Sequence, residues 1–176
     1  MGHRCADEIE DLLNIKKMRN RYNTSDWDYN CGGFALNTFT WYCPARNFDF
    51  DYKRNLYGMN GDNGFFSWFC SSDCYSKKEM YYATRRCVRA MLHDFDDLRI
   101  IKDLKELAQN EYAIAFRISG EMDDFHFMRR TKSGRWFHKM GATAIRPIKK
   151  EEVFAETWDL PSGNYCGELI LFAKKY

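Results

Sequence analysis

Apolar residues recur at helical spacing in the first half of the chain and at strand spacing in the second. Ile9, Leu12, Leu13 and Ile15 line one face of a segment that predicts a helix from Ala6 to about Arg21. A polar turn, Asn23-Thr24-Ser25-Asp26, follows it. The apolar run after Cys31 predicts a second helix reaching about Tyr42 and stopped by Pro44. Residues 45–75 lose all periodicity: Asn60-Gly61-Asp62-Asn63-Gly64 punctuates them and aromatics follow. They read as a loop-rich aromatic insertion, suited to one wall of a cleft. Ser76 to about Asp94 regains the helical period, with Ser76 as N-cap and Glu79 as its capping-box partner. Lys102 to Asn110 predicts a shorter helix.

Beyond Asn110 the period becomes that of a strand. Tyr112–Ile118 is a buried β-type run, Asp124–Arg130 alternates, and Arg135–Lys139 follows a Lys132-Ser133-Gly134 turn. Glu168–Ala173 closes the pattern as another buried strand. Helices first and antiparallel strands afterwards imply an α+β fold. No repeat or linker divides the 176 residues, so one domain is expected.

Composition narrows the function classes. Hydrophobic residues make up 45% and aromatics 17%, enough for a folded core and an aromatic cleft or partner surface. Net charge is +2, from 27 basic and 25 acidic residues, which gives no electrostatic argument for nucleic acid. Two basic clusters, Arg85/Arg86/Arg89 and Arg129/Arg130/Lys132/Arg135, read as solvated faces. No apolar run is long enough to span a membrane, and the acidic, amphipathic N-terminus is unlike a signal peptide. A cytoplasmic protein with reduced thiols is therefore expected, and the 7 cysteines cannot all pair within the chain.

Candidate chemistry centres on Asn30-Cys31-Gly32-Gly33-Phe34-Ala35-Leu36. A cysteine opening a helix meets unpaired amides and the positive end of the dipole, which favour a thiolate over a thiol of pKa about 8.5. Gly32 and Gly33 would let a substrate approach the sulfur closely. The same residues equally suit a buried core cysteine at a glycine-softened turn. Of the 4 histidines, His3 and His93 read as a terminal surface residue and a helix-end charge partner. His126 and His138 sit on consecutive strands of one predicted hairpin, each facing opposite to its phenylalanine neighbours. The hairpin can bring the imidazoles together, so that one orients the other as general base for a cysteine.

Other motifs are weaker. Cys70-Ser-Ser-Asp-Cys74 is a single loose pair that Cys43 or Cys87 and a histidine would have to complete as a zinc site, so no metal is expected. Asp94, Asp96 and Asp97 read as a helix-end loop, and Asp123 and Asp124 as a hairpin rim. Gly58–Gly64 lacks the lysine of a phosphate loop.

Asn-Cys-Gly-Gly-Phe-Ala-Leu resembles the Asp-Cys-Ser-Gly-Phe nucleophile motif of NlpC-type cell-wall peptidases, compact relatives of papain. In that family a histidine begins a later strand, and a third polar residue, often histidine, follows about twelve residues on, after a glycine-containing turn. His126 to His138 fits that spacing. Gly32 stands where the family has serine, and residues 45–110 lengthen the interval between cysteine and histidine. The resemblance implies a papain-like fold whose nucleophile helix packs on an antiparallel sheet. It implies Cys31 as nucleophile, His126 as base, His138 as orienting residue, and no cofactor. An upstream side-chain donor is usual in such sites, with Ser25, Trp27 and Tyr29 as candidates; Trp27, Tyr29 and Gly32 would meet the substrate. The histidine hairpin also resembles segments of small uncharacterised phage and bacterial proteins. Two functions follow as expectations: a thiol hydrolase or acyltransferase acting on a peptide or peptidoglycan-like amide, or a phage-encoded protein that binds and inhibits a host defence system or enzyme.

Overall fold

The computed structural model describes residues 29–38, 41–44, 76–120 and 124–176. The predicted helix at 6–21, the insertion at 45–75, Ser25, Trp27, Cys70, Cys74 and Asp123 lie outside these residues.

Among the described residues, three α-helices and eight strands form an α+β architecture, as the change of period implies. The helices are α1 (Cys31–Leu36), α2 (Lys77–Asp94) and α3 (Lys150–Val153). The strands are β1 (Leu98–Ile101), β2 (Glu111–Ile118), β3 (Phe125–Arg130), β4 (Trp136–His138), β5 (Arg146–Ile148), β6 (Trp158–Leu160), β7 (Gly163–Tyr165) and β8 (Ile170–Lys175). Six form one antiparallel sheet in the order β1-β8-β2-β3-β4-β5, and β6 and β7 pair separately. Central strand β2 is buried along its whole length, which is why it reads as a continuous apolar run rather than an alternation.

The period of two divides the sheet's side chains between two cores. On one face Ile114, Phe116, Phe125, Phe127 and Phe172 pack with Cys31, Leu36 and the buried side of α2. That side of α2 consists of Ala83, Thr84, Cys87, Val88, Ala90 and Met91, three and four residues apart as an amphipathic helix requires. On the other face Ala113, Ala115, Met128 and Trp136 pack with Val153, Trp158 and Tyr165.

The Ser76–Glu79 capping box forms: the Glu79 amide donates to Ser76 Oγ at 3.2 Å and the Ser76 amide donates to Glu79 Oε2 at 2.6 Å. The Ser76 amide and hydroxyl, both donating to Oε2, hold the Glu79 carboxyl below its ordinary range.

The first described helix is shorter than predicted. It stops at Leu36 because Asn37 adopts a left-handed conformation (φ 59°). There the Asn37 amide donates to Phe34 O and the Thr38 amide to Gly33 O, a helix end that asparagine tolerates. Tyr42, placed in the helix by the sequence, instead lies outside it and is bonded to Asn30. The helix expected over Lys102–Asn110 is a single turn, Leu104–Glu106. The Asp103 carboxylate takes the Lys105 amide and the Glu111 carboxylate takes the Ala108 amide, so local side chains satisfy donors that a helix would have used. Arg129, assigned to a solvated face, is buried and stacks over the Tyr112 ring at 4.2 Å. Among the described residues no helix is long and apolar enough to cross a membrane.

Candidate active site

Asn30 builds the approach to Cys31. As N-cap its Oδ1 accepts from the Gly33 amide at 3.0 Å and from the Tyr42 amide at 3.1 Å, while Nδ2 donates to Tyr42 O at 2.9 Å. One side chain thus caps α1 and ties the returning chain to it. Gly32 is needed for this approach: a Cβ there would lie 2.9 Å from Tyr42 O. Its role in the fold is close backbone packing.

The histidine pair forms across the β3–β4 hairpin. Met128 is the register partner of His138, so His126 is its diagonal neighbour on the same face. The two rings stand edge to face, with His126 Nε2 3.1 Å from His138 Nδ1. The turn closes as expected around Lys132–Gly134, with Gly134 at φ 86° and the Thr131 amide donating to Arg135 O.

Cys31 lies on one face of the sheet and His126 on the other. Both line a cavity of about 180 Å³ at the end of the sheet where β3 begins and β4 ends. Trp41, Met140 and Gly141 contribute to its walls, as do Asp124, Ser162 and Tyr165. Tyr29 and Gly32 do not line it. Tyr29 is buried with Phe34, Phe137 and Ile145, and its ring carries the Lys139 ammonium 4.8 Å from its centre.

The electrostatics differ from the sequence expectation of a dipole-activated thiolate. Cys31 is 5% exposed, and its thiol donates to the Phe125 carbonyl at 3.8 Å. Burial first, then the Asp124 carboxylate, pushes the thiol up to about 12, against smaller opposing effects from the Phe127 and Gly32 amides and Lys139. Desolvation outweighs the dipole of a helix only six residues long. His126, at 1% exposure, is pushed down to about 3 by burial and by His138. His138 is also held below its usual range, by burial and by Arg146, with Glu152 opposing. The resting pair is therefore a neutral thiol and a neutral imidazole.

Sequence reasoning missed the third wall. The Tyr165 hydroxyl donates to Asp124 Oδ2, and Ser162 Oγ lies 2.8 Å from the same hydroxyl. Burial and the Asp124 carboxylate raise the Tyr165 phenol. Asp124 was visible only as part of an acidic rim, and Tyr165 sits in a three-residue strand with no pattern to mark it. Among the described residues, no three histidine, cysteine or acidic side chains are grouped to hold a metal ion. No family model matches the chain, and no curated protein or solved structure matches it either.

Proposed function

We propose that this protein is a cysteine hydrolase of papain-like, NlpC-type architecture that cleaves an amide or isopeptide bond in a peptide or peptidoglycan-like substrate. The observation that carries this reading is the shared cavity of Cys31 and His126, with His126 Nε2 already engaged by His138. That contact fixes the ring and leaves Nδ1 as the nitrogen for the thiol proton.

Catalysis starts from the neutral pair. Cys31 Sγ attacks the carbonyl carbon while its proton passes to His126. Thiolate and imidazolium arise together, so each offsets the other's charge in a poorly solvated site. The Cys31 amide is the candidate donor to the oxyanion. Collapse of the tetrahedral intermediate expels the amine, which takes the proton from His126. Water, deprotonated by the same imidazole, then releases the acyl group from sulfur; an amine in its place makes the reaction acyl transfer.

The test is a burst of p-nitrophenolate from p-nitrophenyl acetate. The reading requires a burst stoichiometric with protein that disappears in Cys31→Ser. A second reading has the support of burial. Cys31 and His126 are almost fully enclosed and neutral, as they would be in a scaffold kept for binding, such as a phage-encoded inhibitor of a host protein. A burst absent from the native chain favours that reading.

A further inference from the structure

We propose that the cavity beside Cys31 is an acyl pocket for a short, uncharged acyl group, with Met140 limiting its length. The inference rests on the reading of Cys31 as nucleophile, and it names the class of acyl donor which that reading takes.

The burial of the sulfur carries the argument. Cys31 is 5% exposed and belongs to the core cluster that holds Leu36, Cys87 and Phe125. An acyl group carried on Sγ takes the place of the thiol proton, so it has to lie in space that the core does not fill. The cavity of about 180 Å³ that Cys31 lines is such a space. A dry cavity of about 150 Å³ holds benzene, so this one takes about seven non-hydrogen atoms. Sites for drug-sized ligands start at about 300 Å³. Acetyl and butyryl groups fit that volume, and an octanoyl group exceeds it.

The walls choose an uncharged chain. Trp41, Phe125 and Met140 give the cavity apolar surface. Its polar groups are engaged within the protein. Asn30 Oδ1 accepts the Gly33 and Tyr42 amides, Ser162 Oγ pairs with the Tyr165 hydroxyl, and Asp124 takes the Phe125 amide and the Tyr165 hydroxyl. A charged acyl group would lose its water against such walls. An alkyl chain instead gains about fourfold in binding for each methylene it buries. Met140 sits just beyond the end of β4, where its backbone is pinned in a turn: its amide donates to Thr143 Oγ1 at 3.2 Å and its carbonyl accepts the Thr143 amide at 2.8 Å. Changing this side chain therefore alters the depth of the cavity and leaves those two bonds in place.

The test is the rate of Cys31 modification by alkyl methanethiosulfonates in the full chain, read peptide by peptide by mass spectrometry and divided by the rate at the exposed Cys166. In each reaction a disulfide forms between Sγ and the alkylthio group, methanesulfinate leaves with the bonding electrons, and the thiol proton passes to solvent. The ratio should rise about tenfold from the methyl to the butyl reagent as methylenes enter the pocket. It should fall about tenfold from butyl to octyl, and as far from butyl to the anionic 2-sulfonatoethyl reagent. Met140→Ala should bring the octyl ratio back toward that of butyl, and Met140→Trp should exclude butyl while methyl still reacts. A ratio that ignores chain length, an anionic reagent as fast as butyl, or a Cys31 that none of the reagents reaches overturns the proposal. Octyl and butyl ratios unchanged in both Met140 variants overturn it too. The two readings fail separately. Length selection at Cys31 without a p-nitrophenolate burst removes only the hydrolase; equal bursts from p-nitrophenyl butyrate and octanoate remove only the pocket.

Discussion

At the scale of residues, three buried titratable groups tie stability to pH. His126 is held at about 3, below its ordinary 6.5, so the folded state binds this proton less readily than the unfolded chain. Its contribution to stability is present above pH 6.5 and is lost as the pH falls toward 3. The slope from this group should be roughly 1 kcal/mol per pH unit. Urea denaturation between pH 7 and 4 should show that decline, and His126→Phe should flatten it. Cys31 and Cys87 are both raised from 9.0 to about 12, chiefly by burial. Their contribution is present below pH 9 and is lost as the pH rises toward 12. Alkaline melts should therefore show Cys87→Ala losing less stability between pH 9 and 11 than the native chain; an unchanged pH dependence would refute the burial argument.

At the scale of elements, α1 depends on two residues that hold Tyr42 against it. Asn30→Ala removes three hydrogen bonds, the cap among them, and should cost about 2 kcal/mol in urea denaturation, with Asn30→Asp recovering part of the loss. Gly32→Ala should cost about 1–3 kcal/mol, because its methyl group meets the Tyr42 carbonyl at 2.9 Å. The long elements were readable from the sequence because the helical period accumulates over α2 and the apolar run of β2 is continuous. The capping box at Ser76 and the turn at Gly134 were readable because each needs particular residues at fixed offsets. β4 came through the same hairpin. Strands β1, β5, β6 and β7 have only three or four residues each, too few for a period to emerge, and β5 carries Pro147 on an edge. The end of α1 was hidden for a different reason: the apolar run continues through it, and only the conformation of Asn37 stops the helix.

At the scale of the whole molecule, the candidate site is a product of the sheet's end. Cys31 and His126 belong to opposite faces, and only the start of β3 brings them to one cavity. The contact between the two histidines was legible from residue types and hairpin spacing. Their ionisation was not, because it depends on how deeply the finished fold buries them. The acidic wall was not legible either, since Asp124 and Tyr165 are brought together across 41 positions of sequence. If His126 is the base, His126→Ala should slow acylation of Cys31 about 10²- to 10⁴-fold. His138→Ala should slow it less, and His138→Gln, which keeps a hydrogen-bonding partner for Nε2, should restore part of the rate. The most direct measurement maps the acetyl group after brief exposure to p-nitrophenyl acetate, by tandem mass spectrometry across all 7 cysteines. The account predicts acetylation first at Cys31 in the native chain and its loss there in His126→Ala. Acetylation that favours another cysteine, or that proceeds at Cys31 unchanged without His126, would contradict it.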